Sequence, residues 1–323
     1  MGDEGLGGFV ALLAGCGSDP ALGNTTTGGD TTRDAGTIDA PDDDPIIQPG
    51  DASSGDDCTE DNKKIYVLSW DQSAAEAHLL RFDPVALTYT NIGKLDCQLS
   101  TPYAPYPHSM AVDRRGTAWV SMASGALARV STTTAACTDS GMELGQETVS
   151  SYGMGFATVG TSTVEKLYIA ATGSAWTGQP SQPMAKLGVI DTATLKISII
   201  GPLEAPVPSN SELSGSGDGN LFTMVVDVSN IKAPKVSVAK LDAATGASLE
   251  TKPVPLEAKS GFAFAHWGGD LWLFTQAPDG KARVAQLEWA TGTVKQTVDA
   301  DLGVPGFILG AGVSTCAPLE PPK

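Results

Sequence analysis

His78, His108 and His266 are the only imidazoles in this chain, and they limit the acid–base and metal chemistry open to it. None lies near another histidine or a cysteine in sequence. Cys16, Cys58, Cys97, Cys137 and Cys316 include no CxxC pair, so zinc-ligand spacing is absent and no metal or other cofactor is expected. The chain also lacks a G-x-S-x-G elbow, an H-E-x-x-H helix and a phosphate-cradling GxxxxGK. No catalytic residue is assigned. Asp42, Asp43 and Asp44 have the acids of a calcium loop but neither its spacing nor a glycine at the bend, which makes them a solvated spacer.

Charge divides the chain. Residues 1–57 hold twelve acids against Arg33, so −11 of the total −17 lies in this first segment. The remaining −6 is ordinary for a folded domain, and no basic stripe is present to hold nucleic acid. From Gly17 to Asp57 no apolar periodicity appears. Such a stretch cannot bury enough surface to offset the entropy of folding, and it reads as a disordered acidic tether. Before it, Gly5 to Gly15 is mostly apolar and too short to span a bilayer as a helix.

That run ends in Leu13-Ala14-Gly15-Cys16, which resembles the lipobox of bacterial lipoproteins. The resemblance implies that Cys16 is lipidated and becomes the mature N-terminus, with residues 1–15 a signal peptide and 16–57 the lipid-bearing linker. A secretion signal opens with Lys or Arg. MGDEGLGG has neither, which places the true start upstream or makes this a clipped sequence. The expected location is the bacterial envelope, lipid-anchored and facing periplasm or exterior.

The body, residues 58–316, repeats. KKIYVLSW, GTAWVSM, EKLYIAA, GNLFTMVV and GDLWLFT set Tyr66, Trp119, Tyr168, Phe222 and Trp272 at intervals of 53, 49, 54 and 50 residues. Each is followed by a second strand-like run and a Thr/Gly/Ala turn headed by Asp83, Ser131, Asp191, Asp242 or Glu288. An acid there caps the turn through its own side chain and needs no catalytic role. SMAVDRRG, GMGFATVG, SELSGSGDG and FAFAHWGG precede four of the aromatics as small-residue strands running into Gly turns. Four strands per unit at this period predict an all-β, five-bladed β-propeller, with a sixth, degenerate blade as the alternative count.

PHSMAVDRRGTAWVSMASGALARVST resembles blades of the NHL, SMP-30 and virginiamycin-B-lyase-like propellers. The first unit lacks an innermost strand, and GFILGAGVSTC at the far end has no unit of its own. Propellers commonly close by such an exchange, here with the C-terminal strand completing blade one and residues 317–323 left as a tail. That closure brings Cys58 and Cys316 to one turn of one blade, where a disulfide fastens the seam. Cys97 and Cys137 are then the remaining pair by elimination, and Cys16 the odd thiol.

In propellers, the loops leading to innermost strands share one face with those between second and third strands. Tyr103, Tyr106, His108 and Tyr152 belong there, with Trp176 in the extended TGSAWTGQPSQPM; Asp71, Glu76, Asn210 and Glu212 add polar groups. Aromatic platforms with acids and amides suit sugars or peptides. His266 belongs at the opposite end of its blade, so the histidines do not converge. The resemblance to the lyases implies catalytic His and metal-holding acids from several blades, and only Pro107-His108 offers one here. The expected function is a monomeric, non-catalytic binding or scaffold module for an envelope protein or glycan. The alternative is a propeller enzyme (lyase, lactonase or glycan hydrolase) acting at the same face.

Overall fold

The computed structural model describes residues 58–97, 106–173, 185–204, 211–227, 230, 234–256, 261–277, 279 and 281–321. Cys16, Tyr103, Trp176 and Asn210 lie outside them, as do the proposed signal peptide and tether. Among the described residues twenty strands form five four-stranded antiparallel sheets, a five-bladed β-propeller. Blade two is β4 (Pro107–Val112), β5 (Thr117–Met122), β6 (Leu127–Ser131) and β7 (Cys137–Asp139). Blade three is β8 (Val149–Thr158), β9 (Glu165–Gly173), β10 (Lys186–Ile190) and β11 (Ile197–Pro202). Blade four is β12 (Ser211–Gly215), β13 (Leu221–Asp227), β14 (Lys235–Leu241) and β15 (Ser248–Val254). Blade five is β16 (Phe262–Trp267), β17 (Asp270–Gln276), β18 (Ala282–Glu288) and β19 (Thr293–Ala300).

Blade one closes the ring. Its order is β20 (Phe307–Gly312), β1 (Ile65–Asp71), β2 (Glu76–Asp83) and β3 (Thr88–Lys94), so the last strand pairs with the first, Tyr66 opposite Gly312 and Trp70 opposite Phe307. The exchange satisfies an edge that β1 would otherwise expose. The five innermost strands β20, β4, β8, β12 and β16 each touch the next around the ring. Their small residues are needed for this. A Cβ on Gly153 would lie 2.1 Å from Ser211 O, and one on Gly215 2.3 Å from Phe156 O.

The core consists of five wedges, one between each pair of adjacent blades. Alternate residues of one strand serve different wedges, because successive side chains point to opposite faces. Tyr66 and Leu68 pack with Met110 and Val120 toward blade two. Ile65 and Val67 pack with Ala263 and Phe274 toward blade five. With both faces buried, each second strand reads as a near-continuous apolar run. Burying one Leu, Ile, Val or Phe contributes about 1.5–3 kcal/mol. Outermost β19 alternates exposed and half-buried residues instead.

The turn caps follow the repeat. Asp83 Oδ1 accepts from the N–H groups of Val85 and Ala86, Asp191 Oδ1 from Ala193 and Thr194, and Asp242 Oδ1 from Ala244. Ser131 Oγ accepts from Thr133 and Thr134. Glu288 departs from this. Its longer chain accepts from the Thr291 hydroxyl and pairs with Lys295. Cys58–Cys316 and Cys97–Cys137 are bonded, with Cα–Cα separations of 5.2 and 4.7 Å.

Candidate functional site

The upper end of the ring is where the chain enters each innermost strand. Tyr106 stands just before β4, its ring edge-on to Trp70 at 5.2 Å, its carbonyl accepting from Ala123 N–H. His108 is half-buried at an irregularity between Pro107 and Ser109. Burial lowers its pKa, so the imidazole is neutral at neutral pH.

Three blades meet at Ser109. Its hydroxyl donates to Glu212 Oε2 of β12 at 2.5 Å and accepts from Met154 N–H of β8 at 3.0 Å. Ser109 and Glu212 are both buried. Burial pushes the Glu212 carboxyl well above the usual range, and the Ser109 hydrogen bond offsets only part of this. The Ser109–Glu212 hydrogen bond thus pins blade two to blade four. Tyr152 is buried too, its hydroxyl donating to Gly125 O and its carbonyl accepting from Ser121 Oγ. Of the expected contact residues, Tyr106 and His108 stand at the upper end, while Tyr152 and Glu212 lie beneath it in the packing.

Asp71 and Glu76, the other polar candidates among the described residues, are accounted for locally. Asp71 caps Ser73 and Ala74, and Glu76 pairs with Lys94. His78 Nε2 is 3.9 Å from Glu76, and its buried Nδ1 has no hydrogen-bond partner among the described residues. His266 is the penultimate residue of β16, near its lower end, buried and stacked on Phe222, its backbone N–H on Ser214 Oγ. Burial lowers its pKa against the pull of Asp218 and Asp270. His108 and His266 thus occupy opposite ends of innermost strands. Among the described residues no group of three or more His, Cys, Asp or Glu is placed to hold a metal.

The lower end is closed by the chain's own C-terminal residues. Ser314 Oγ donates to Asn62 O before β1. Thr315 Oγ1 accepts from Arg114 Nη1 of the β4–β5 turn at 3.2 Å and donates to Glu165 Oε2 of β9 at 2.8 Å. Its carbonyl sits so near Gly217 of blade four that a Cβ there would lie 2.2 Å away. Gly268 N–H of blade five donates to Pro318 O at 2.7 Å. All five blades are touched.

Glu165 is the centre of this closure. Oε1 accepts from Arg114 N–H at 2.9 Å, and burial pushes the carboxyl up to about 7 against those hydrogen bonds and the Arg114 charge. A cavity of about 240 Å³ opens beside it, lined by Asp113, Arg115, Thr163 and Thr192. Sequence reading missed this cluster and Ser109. The available signals were an acid heading the apolar run EKLYIAA and paired arginines in VDRRG.

The chain matches no protein-family model and no curated protein. Among solved structures it is similar to TolB from Acinetobacter baumannii at 11% identity and TM-score 0.41, over 73% of this chain and 53% of that one, so it spans about half that protein's length. It is similar to a novel alpha-L-arabinofuranosidase from Clostridium thermocellum at 12% identity and TM-score 0.47, over 69% and 83% of the two chains. A Dos1 propeller gives 14% and 0.36, over 78% and 56%. At this distance the architecture rests on the strand pairing itself.

Proposed function

We propose that this protein is a cell-envelope lipoprotein whose propeller is a non-catalytic binding or scaffold module for a protein or glycan partner, engaged at the upper end. The observation that carries the reading is the five-blade closure of the lower end by residues 314–318. The upper end, where the chain enters the innermost strands, is the proposed binding end. Tyr106 and His108 are the described contacts there, and Tyr103 and Trp176 are the proposed ones outside the described residues. Glu212 and Tyr152 form the floor. Ser109, Glu212 and Tyr152 hold blades together through hydrogen bonds already made, which favours a fixed binding shape over a reactive centre.

Cys16 is proposed as the lipid anchor. The other four cysteines pair among themselves, leaving it the odd thiol. Two disulfides suit an oxidising compartment, periplasmic or extracellular. The enzyme reading rests on Glu212, since a buried carboxyl held above its usual range is also what a general acid requires.

Two measurements test this. Intact mass of the mature protein should begin at Cys16 with an acyl adduct; a mature protein retaining an unmodified Met1 ends the anchor. A photo-crosslinker at position 108 should capture an envelope component that one at exposed Val85, in the β2–β3 turn, does not. Equal capture at both positions removes the upper end as the site.

A further inference from the structure

The two disulfides differ in what surrounds their sulfurs. All four cysteines are half-buried, so exposure class alone does not separate the bonds. Cys97 and Cys137 pack against the apolar wedge between blades one and two. A thiolate released there would be desolvated and disfavoured. At Cys58, Arg114 Nη2 donates to Sγ at 3.2 Å. A guanidinium is always charged, and a cation at this distance favours thiolate over thiol. Among the described residues, Asp113, its neighbour, and Glu165 line one cavity with Arg114. Asp113 is held by the N–H groups of Arg115, Thr117 and Trp119.

We propose that Cys58–Cys316 is a thiol–disulfide exchange site whose polarity Arg114 sets, with Cys316 the sulfur attacked and Cys58 the leaving thiolate. The reactant is an external dithiol. One of its thiolates bonds to Cys316 Sγ as the Cys58–Cys316 bond breaks, the electron pair remaining on Cys58 beside Arg114. The second thiolate of the dithiol then displaces Cys316. The dithiol ends as a disulfide, its two protons pass to Cys58 and Cys316, and two electrons have moved into the protein. The covalent fastening of the lower end is thereby removed, while the β1–β20 ladder still closes the ring.

The test is a timed exposure of the folded, full-length protein to dithiothreitol at pH 7.5, quenched with N-ethylmaleimide and read by peptide mass spectrometry at each cysteine. Cys58–Cys316 should open before Cys97–Cys137. With a leaving-group sensitivity of about 0.5, as found for attacking thiols, each pK unit that Arg114 removes from Cys58 gives about a threefold faster opening. R114Q should lose that advantage and R114K should retain most of it. T315V, which breaks the closure but keeps the cation, should not slow opening. Glutathione followed by an acid quench should leave its adduct on Cys316. Equal opening of both bonds, a wild-type rate in R114Q, equal slowing by R114Q and T315V, or an adduct mainly on Cys58 would each overturn the proposal.

Discussion

Replacing Glu165 by Gln tests whether the lower end stores a proton. In the fold this carboxyl titrates at about 7 against an ordinary 4.5. Between those values the native state binds the proton more tightly than the unfolded chain does. The stabilisation is therefore full below about pH 4.5 and is lost as pH rises through about 7. The gap of about 2.5 units corresponds to about 3 kcal/mol at 1.36 kcal/mol per unit. The carboxyl is partly exposed, so screening by water reduces the working figure to about 2 kcal/mol. Gln retains an oxygen for Arg114 N–H, and its amide can donate to Thr315 Oγ1, so the hydrogen-bonded geometry survives the exchange. Urea unfolding of the oxidised wild type and E165Q, followed by tryptophan fluorescence from pH 4.5 to 8.5, reads the difference. The other raised carboxyl, Glu212, is present in both proteins and cancels. E165Q should match the wild type near pH 4.5 and exceed it by about 2 kcal/mol at pH 8. Parallel stability curves across the whole range would refute the reasoning.

Ser109→Ala should cost about 2–3 kcal/mol, because it leaves both Met154 N–H and a Glu212 oxygen unpaired in a buried site; thermal unfolding checks this, and a loss under about 0.5 kcal/mol would show that the pin is not needed. Gly153→Ala drives a methyl into Ser211 O across the blade three–four contact and should destabilise by at least about 1–3 kcal/mol. The measurement is the urea midpoint, and a neutral effect would mean the innermost strands are spaced more widely than described.

The repeat was legible because each blade states it in two ways. Tyr66, Trp119, Tyr168, Phe222 and Trp272 all fall on second strands, where burial on both faces forces an apolar run, and the turn residues from Asp83 to Asp242 mark where the next hairpin folds back. Closure was legible from the same count, since GFILGAG was an innermost strand without a blade. Pair contacts across the axis were not. Ser109 with Glu212, and Thr315 with Arg114 and Glu165, depend on which strands and turns converge at the centre of a ring, which one-dimensional spacing does not encode. Tyr152 was read as a residue at the mouth. The structure buries it because β8 begins at Val149, earlier than GMGFATVG implied.

The pairing of β20 with β1 also governs when this molecule can exist. A nascent chain halted before Phe307 leaves β1 without its innermost partner and the ring with a gap. A late stop or a lost tail is thus felt at the first blade to be synthesised, and the fold inspects its own completeness.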